Sequence, residues 1–527
     1  MFTPEEQDVL RRYFTNLDQP VFALVNLPEV VKGALFARYS RTHKSLRRLF
    51  LDEFIGDLDM EGDATVDATV GLDRAEELYK KVFFEYGDDS VAQLGGIHLA
   101  CEQASNVLTK VLEWGRLMAY LEQSTRYLAY DTRLDGRYRY YRDPELLASG
   151  LGTRYVGDMD RIFDSYASVL PTMQDHFKAL FPKSQSDSDF VWLQTVRAKS
   201  FDAIRGMLPS ASLSNVGIYG TGQGYESLLM RMRAHPLPEA RAYSEMMLTE
   251  LRKVIPSFLR RVDLEDRGVA WSNYFEENRL AMEDVAATVL TPTIAVDEPG
   301  VDLVDWDPDA ETKLVTAMLY PYSSMSERQI FDQVSNMSVD DKMSVVEAYV
   351  GHRGNRRHKP GRALERINYR FDVLSDYGAF RDLQRHRMLT VEWQDLSPSH
   401  GYVRPPAVDH AGVAEAFDRV MDRSAALYED LEETFPRQAP YAVSMAFRVR
   451  YMMQMNAREA LHMLELRSGP GGHPSYRTVA QDMYRLIGDK AGHTVVAKMF
   501  SYMDMSDGEE GRLESERRIE ERRYETT

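Results

Sequence analysis

Residues 456–467 read Asn456-Ala-Arg458-Glu-Ala-Leu-His462-Met-Leu-Glu-Leu-Arg467, and residues 223–232 read QGYESLLMRM. Both stretches space their apolar residues for a helix, and both stand late in their half of the chain. The pairing suggests a chain that repeats itself, and two further echoes agree. Ala34-Leu-Phe-Ala-Arg-Tyr39-Ser40 returns as Ala317-Met-Leu-Tyr-Pro-Tyr322-Ser323. Tyr86-Gly-Asp-Asp-Ser-Val is echoed by the segment from Arg356 to Glu365, each expected to lead into a long helix. Two related domains of about 250 residues suit a chain of 527. The expected division is 1–284 and 285–527, with the Pro-, Gly- and acid-rich segment 288–312 at the boundary.

Most of the sequence reads as helix. Apolar spacing predicts helices over 92–130, 240–255, 410–434 and 443–466. Strand signals are fewer. Phe22–Asn26 and the alternating NYRFDVL of Asn368–Leu374 are the best of them. The Glu- and Arg-rich tail from Gly508 onward reads as a solvated helix end.

Composition narrows the function classes. With 44% hydrophobic and 28% charged residues the chain is an ordinary globular protein able to bury a large core. A net charge of −18 argues against a protein that coats nucleic acid, while leaving room for a local basic pocket. No apolar run approaches the roughly 20 residues that span a bilayer, and the N-terminus lacks a secretory apolar core. The single cysteine, Cys101, excludes an internal disulfide framework or thiolate metal cluster. A cytoplasmic location without membrane contact is expected, and no metal site is.

Three motifs carry chemistry. Arg385-His386-Arg387 sets two guanidiniums around an imidazole, a donor array for phosphates or an anionic ring. The plainer reading is a helix end whose dipole favours cations. Glu122-Gln123-Ser124-Thr-Arg126-Tyr127 packs a carboxylate, a hydroxyl and a guanidinium into a few residues, suited to the edges of a small polar ligand. Its plainer reading is a capping turn at Ser124. In 456–467, Arg458 and His462 lie four apart on one helical face, and Arg467 precedes the breaker Gly469-Pro-Gly-Gly.

Together these motifs resemble the flavin-dependent (complementing) thymidylate synthases, whose signatures are RHRxxxxNExSxRY and, on a later helix, NxRxLxxxxxLR. The resemblance implies an α+β, helix-rich fold in two tandem domains related by a pseudo-twofold axis. It also implies FAD-dependent methylation of dUMP to dTMP, with methylenetetrahydrofolate and NADPH as co-substrates. Neither half has the full set. The second half keeps Arg385, His386, Arg387, Asn456, Arg458, His462 and Arg467, but places Trp393 and Asp395 where the family has Glu and Ser. The first half keeps Glu122, Ser124, Arg126 and Arg205 of an RxxLP motif. It reads Trp114-Gly115-Arg116 in place of RHR, with Gln223 and Met232 where arginines stand in the family. Further departures are Asp382 for a frequent glutamine, Leu121 for asparagine, and Asp88-Asp89-Ser90 and Pro360-Gly-Arg362 for HxS/T.

Losses that divide so cleanly imply one retained composite site, since family sites lie between subunits of a homotetramer. Fusion would then make the assembly a homodimer of two-domain chains. On the resemblance, the nucleotide falls to Glu122, Gln123, Ser124, Arg126, Arg205, Arg385 and Arg467. The flavin falls to Arg385, His386, Arg387, Asn456, Arg458 and His462. Ser124 would orient the nucleotide, and Arg467 would stabilise charge developing on the pyrimidine. Cys101, within the apolar run Ile97-His-Leu-Ala-Cys-Glu, reads as a core thiol rather than a nucleophile. The alternatives are a non-catalytic nucleotide- or flavin-binding relic and a methylase of another pyrimidine nucleotide.

Overall fold

The computed structural model describes residues 2–20, 22–39, 44–53, 93–185, 187–291, 298–506, 513 and 517. Its elements, in chain order, are β1 (Gly96–Ser105), α1 (Asn106–Leu112), β2 (Met118–Glu122), α2 (Gly152–Leu180), α3 (Asp189–Ile204), β3 (Leu213–Thr221), α4 (Gly222–Arg233) and α5 (Pro238–Arg252). After these come β4 (Gly300–Trp306), β5 (Asn368–Asp376), α6 (Tyr377–Leu383), β6 (Leu389–Trp393), α7 (Ala414–Glu432), β7 (Arg448–Asn456), α8 (Ala457–Arg467) and α9 (Pro474–Asp489). Helices dominate, with two small sheets among them, so the fold is α+β.

The repeat is visible in the topology. One sheet runs β1-β3-β2 and the other β4-β5-β7-β6. With β4 set aside, β5, β7 and β6 follow the order of β1, β3 and β2. In each half the first strand leads into a short helix, the last into a helix pair: α1 and α4–α5 in one, α6 and α8–α9 in the other. The echoed stretches of sequence are α4 and α8. Both start on a side-chain cap, Thr221 accepting from the Gly224 N–H and Asn456 from the Glu459 N–H.

The chain forms two compact units that each draw on separate stretches. The first takes Met1–Ala104, Val111–Gln123 and Asn215–Thr293. Its N-terminal helices close over Leu10, Phe14, Leu35, Leu49 and Phe50. The second takes Ser105–Lys110, Ser124–Ser214 and Ile294–Thr527. There β7 pairs antiparallel with β5, from Asn368 opposite Asn456 to Asp376 opposite Arg448, and with β6 on its other side. Val449, Tyr451, Met453 and Met455 point from β7 into the core.

Several expectations require correction. The helix expected over 92–130 is β1, α1 and β2, and Ile97-His-Leu-Ala-Cys-Glu is strand. Residues 443–466 divide into β7 and α8. In β7 the alternation of RVRYMMQM is masked because Met452 puts an apolar residue on the outward face. Both misreadings share a cause: pairing with strands about 60 to 100 residues away outweighs local helical spacing. Phe22–Asn26 is no strand, but makes a single bridge from Leu24 to Phe14. Arg385–Arg387 is not the end of a helix opened at Gly361. β5 and α6 intervene, and the motif forms the turn from α6 to β6. The strand at 368–374 and the helices near 240–255 and 410–434 stand as β5, α5 and α7. Ser40, Tyr86–Val91, residues 292–297 and most of the tail from Gly508 lie outside the described residues.

Candidate functional site

The second compact unit contains a buried cluster of guanidiniums and carboxylates. Its centre is Asp382, near the end of α6, whose start is capped by the Asp376 carboxylate on the Ala379 N–H. Asp382 accepts from Arg205 Nη1 at 3.1 Å and from Arg385 Nη2. Arg205 follows the last turn of α3. One turn earlier on α3, Asp202 takes the Nε and Nη2 edge of Arg126 at 2.7 and 2.8 Å. Arg126 Nη1 also donates to the Tyr476 hydroxyl at 2.9 Å. Arg467, from the end of α8, lies over the same tyrosine ring at 5.4 Å and donates through Nε to His386 Nε2 at 3.0 Å.

That bond sets the histidine tautomer. With Nε2 accepting, the proton sits on Nδ1, which donates to Glu459 Oε1 at 3.0 Å. Burial, helped by Arg467 and Arg385, holds His386 well below its ordinary range, so it is neutral. Burial pushes Glu459 up and takes His462 down to about 4. Burial opposes the charge on Asp382, yet Arg205, Arg385, Arg467 and Arg126 outweigh it and hold the carboxyl well below the usual range. Burial acts against Arg126 too, and Asp202 overcomes it. Four guanidiniums, those of Arg126, Arg205, Arg385 and Arg467, thus gather around Asp202 and Asp382.

The residues singled out from sequence fall into three groups. Arg126, Arg205, Arg385, His386 and Arg467 lie in or directly against the cluster. Asn456, Arg458 and His462 lie along α8. Of these, Asn456 is spent as the helix cap and Arg458 bonds the Pro360 carbonyl and Glu365, each at 3.1 Å, while the His462 ring stands 5.6 Å from His386. Arg387 is exposed on the turn. Ser124 accepts the Arg126 N–H at 3.2 Å in a turn after β2, where there is no helix end for it to cap. Glu122 and Gln123 belong to the first unit, where Glu122 ends β2 opposite Val216 and the Gln123 N–H donates to the Asn215 carbonyl.

Sequence reasoning passed over Asp202, Glu459 and Tyr476. Asp202 opens the segment that ends in Arg205 and Glu459 follows Arg458, but nothing local marks either as the partner of a distant cation. In the first unit, the positions matching lost arginines are filled differently. Met232 is core, and Trp114 lies under the Arg231 guanidinium at 4.8 Å.

His386, Glu459 and His462 bring ligand atoms within 4.8 Å of one another. Their surroundings disfavour a divalent cation: Lys359, Arg385 and Arg467 act on His386, and Lys359, Arg387 and Arg458 on Glu459. Both ring nitrogens of His386 are also engaged. The same field suits an anion. Cys101 is buried on β1, and burial pushes its thiol up to about 12. It is therefore not a nucleophile at neutral pH.

The sequence profile of the thymidylate synthase complementing protein family matches residues 36–257 and 302–491. Over 98% of both chains, the protein is 38% identical to a UPF0159 protein of Chlamydia pneumoniae. It is 29% identical to UPF0159 protein Ta1429 of Thermoplasma acidophilum, over 92% of this chain and 97% of that one. A UMP/dUMP methylase from Streptomyces cacaoi, with 5-Br dUMP bound, aligns at 16% identity and a TM-score of 0.30, covering 40% of this chain and 96% of its own. A likeness so slight carries no argument. No described helix is long and apolar enough to cross a membrane.

Proposed function

Because this chain belongs to the thymidylate synthase complementing protein family, we propose that it methylates a pyrimidine nucleotide, dUMP to dTMP, with methylenetetrahydrofolate as carbon donor, FAD as cofactor and NADPH as reductant. The observation that carries this reading is the buried cluster, where four guanidiniums converge as the binding of a phosphate dianion would require. Arg126 and Arg205 come from the first half of the sequence, Arg385 and Arg467 from the second, as one composite site would require. The reading makes the assembly a homodimer.

The donor set fits a polyanionic flavin nucleotide. Arg387 is exposed, Arg458 is partly so, and both belong to the positive field around Glu459. With Arg385, His386 and His462 they would hold FAD, which when bound would carry the reducing equivalents taken from NADPH. Asn456 enters that set only indirectly, by fixing the start of α8.

The chain's own residues then divide the work. Arg205 receives the nucleotide's anionic group and Arg126 adds its charge to the same cluster, the two held in place by Asp382 and Asp202. Ser124 closes the turn that presents Arg126. Arg467 neutralises charge developing on the pyrimidine. Its Nε is anchored on neutral His386, so the guanidinium needs no reorganisation as that charge forms. The buried thiol of Cys101 leaves a cysteine-based route without its nucleophile.

The test is direct. The purified protein should show a visible flavin band, or take it up from added FAD. The band should bleach with NADPH, and methylenetetrahydrofolate should label dUMP. A protein that cannot be loaded with FAD would overturn the reading in favour of a binding relic. Transfer to another pyrimidine nucleotide, with none to dUMP, would redirect the substrate.

A further inference from the structure

A cavity of about 530 Å³ opens in the second compact unit, within the range of small-molecule sites. Arg205 lines it; Asp382, Arg385, Arg387 and Arg458 do not. Much of its wall is apolar, with Phe177, Val403, Pro405, Pro406, Met445 and Val479. Against that wall stand two incompletely satisfied guanidiniums.

Arg205 is 4% exposed. Its Nη1 is taken by Asp382, but Nε and Nη2 are buried with no hydrogen-bond partner. Those two nitrogens form the forked edge that grips a carboxylate or phosphate through parallel bonds. Elsewhere in the same unit that edge is filled: Arg126 holds Asp202 with it, and Arg517 holds Asp187. Gly378, another lining residue, leaves room beside that edge and beside the Asp376 Oδ1, which a Cβ there would meet at 3.0 Å. A Cβ there would stand 3.2 Å from Nε and 3.3 Å from Nη2.

Arg448 also lines the cavity, with Nε buried and unpartnered. Its Nη1 donates to the His400 carbonyl, and among the described residues no carboxylate pairs with it. Asp376 stands beside Arg205, but its oxygens accept from the Ala379 N–H and the Ser475 hydroxyl and hydrogen-bond neither cation. A buried charged donor left unsatisfied is costly in a finished structure. Two on one cavity point to a ligand that completes them.

We propose that this cavity binds an organic oxyanion on a flat apolar body, a carboxylate or phosphate. The oxyanion sits on the free edge of Arg205, with Arg448 as second cation and the body against Phe177 and the prolines. The site shares Arg205 with the nucleotide reading but stands on Arg448 and Gly378, which that reading does not use.

Calorimetric titration of the full chain with 2-naphthoate and, separately, dUMP tests it. Wild type should bind at least one probe with one site per chain, and Arg448→Gln should weaken that binding roughly tenfold or more. Gly378→Ala, which sets a methyl against that edge, should do the same, and the surface variant Arg419→Gln should not. Arg448→Lys keeps the charge without the Nε donor and should fall between. Competition between the probes assigns the oxyanion to the nucleotide's phosphate, and independent binding assigns it to a separate acid; both support the site. If neither probe binds wild type, or if Arg448→Gln with unchanged melting binds as wild type does, the proposal is overturned. FAD uptake measured on the same variants reports separately on the flavin reading.

Discussion

Asp382 is buried and accepts from two guanidiniums, so it is the residue whose change should be felt most widely. Asp382→Asn removes the charge and keeps the shape. The unliganded protein should lose about 3 kcal/mol in urea unfolding, the cost of breaking a buried ion pair. The released donors should bind dUMP or sulfate roughly tenfold more tightly. Weaker dUMP binding in this variant would mean that the carboxylate itself touches the ligand. Acid should act in two stages. Folded His473 sits at about 3 and His386 well below its ordinary range, both through burial. The unfolded chain therefore takes up their protons first, and stability, complete above about pH 6.5, falls below it. The slope is up to about 1.4 kcal/mol per pH unit for each histidine. Asp382, depressed by its arginines, gives up its contribution only as pH drops through its lower folded value. Unfolding midpoints measured from pH 8 to pH 4 should slope accordingly, and a flat profile would show that these histidines are not buried neutral.

At the scale of elements, α8 separates a structural role from a binding one. Its cap is Asn456, which also ends β7, so one side chain joins strand to helix and sets the azimuth of Arg458 and His462. Asn456→Ala should cost about 1 kcal/mol in unfolding free energy. Asn456→Asp restores the acceptor and should restore stability. FAD titration of both variants then separates the roles: binding recovered with Asp makes Asn456 a positioning residue, and binding still lost means that its amide meets the cofactor. Arg458→Ala should weaken FAD binding roughly ten- to a hundredfold. Gln223→Ala on α4, the matching helix of the other half, should leave it unchanged. Equal sensitivity of the two would count against a single retained site.

For the whole molecule, the second compact unit crosses the sequence midpoint. α2 packs on α7, the Met445 N–H donates to the Leu208 carbonyl, and the Ser210 N–H to the Val443 carbonyl. A fragment of residues 285–527 lacks α2, α3, Arg126, Asp202 and Arg205. It should be poorly folded alone, with slow-exchanging amides in β5 and β7 largely lost, and co-expression with 1–284 should recover them. An independently stable fragment would show that these cross-chain bonds are dispensable.

What the sequence determined by itself was the repeat and the family signatures, because both are local patterns. NAREALHMLELR and QGYESLLMRM lie on equivalent helices, and Arg385-His386-Arg387 needs no partner to be noticed. What only the tertiary structure decided was which chemistry those residues are left free to do. Pairing between distant segments turned the expected helices at 92–130 and 443–456 largely into strands. It also brought Asp202 onto Arg126 and Asp382 onto Arg205. A buried cation must find its counter-charge wherever the fold supplies one. No reading along the chain shows that Arg126 has both prongs filled while Arg205 keeps one edge open.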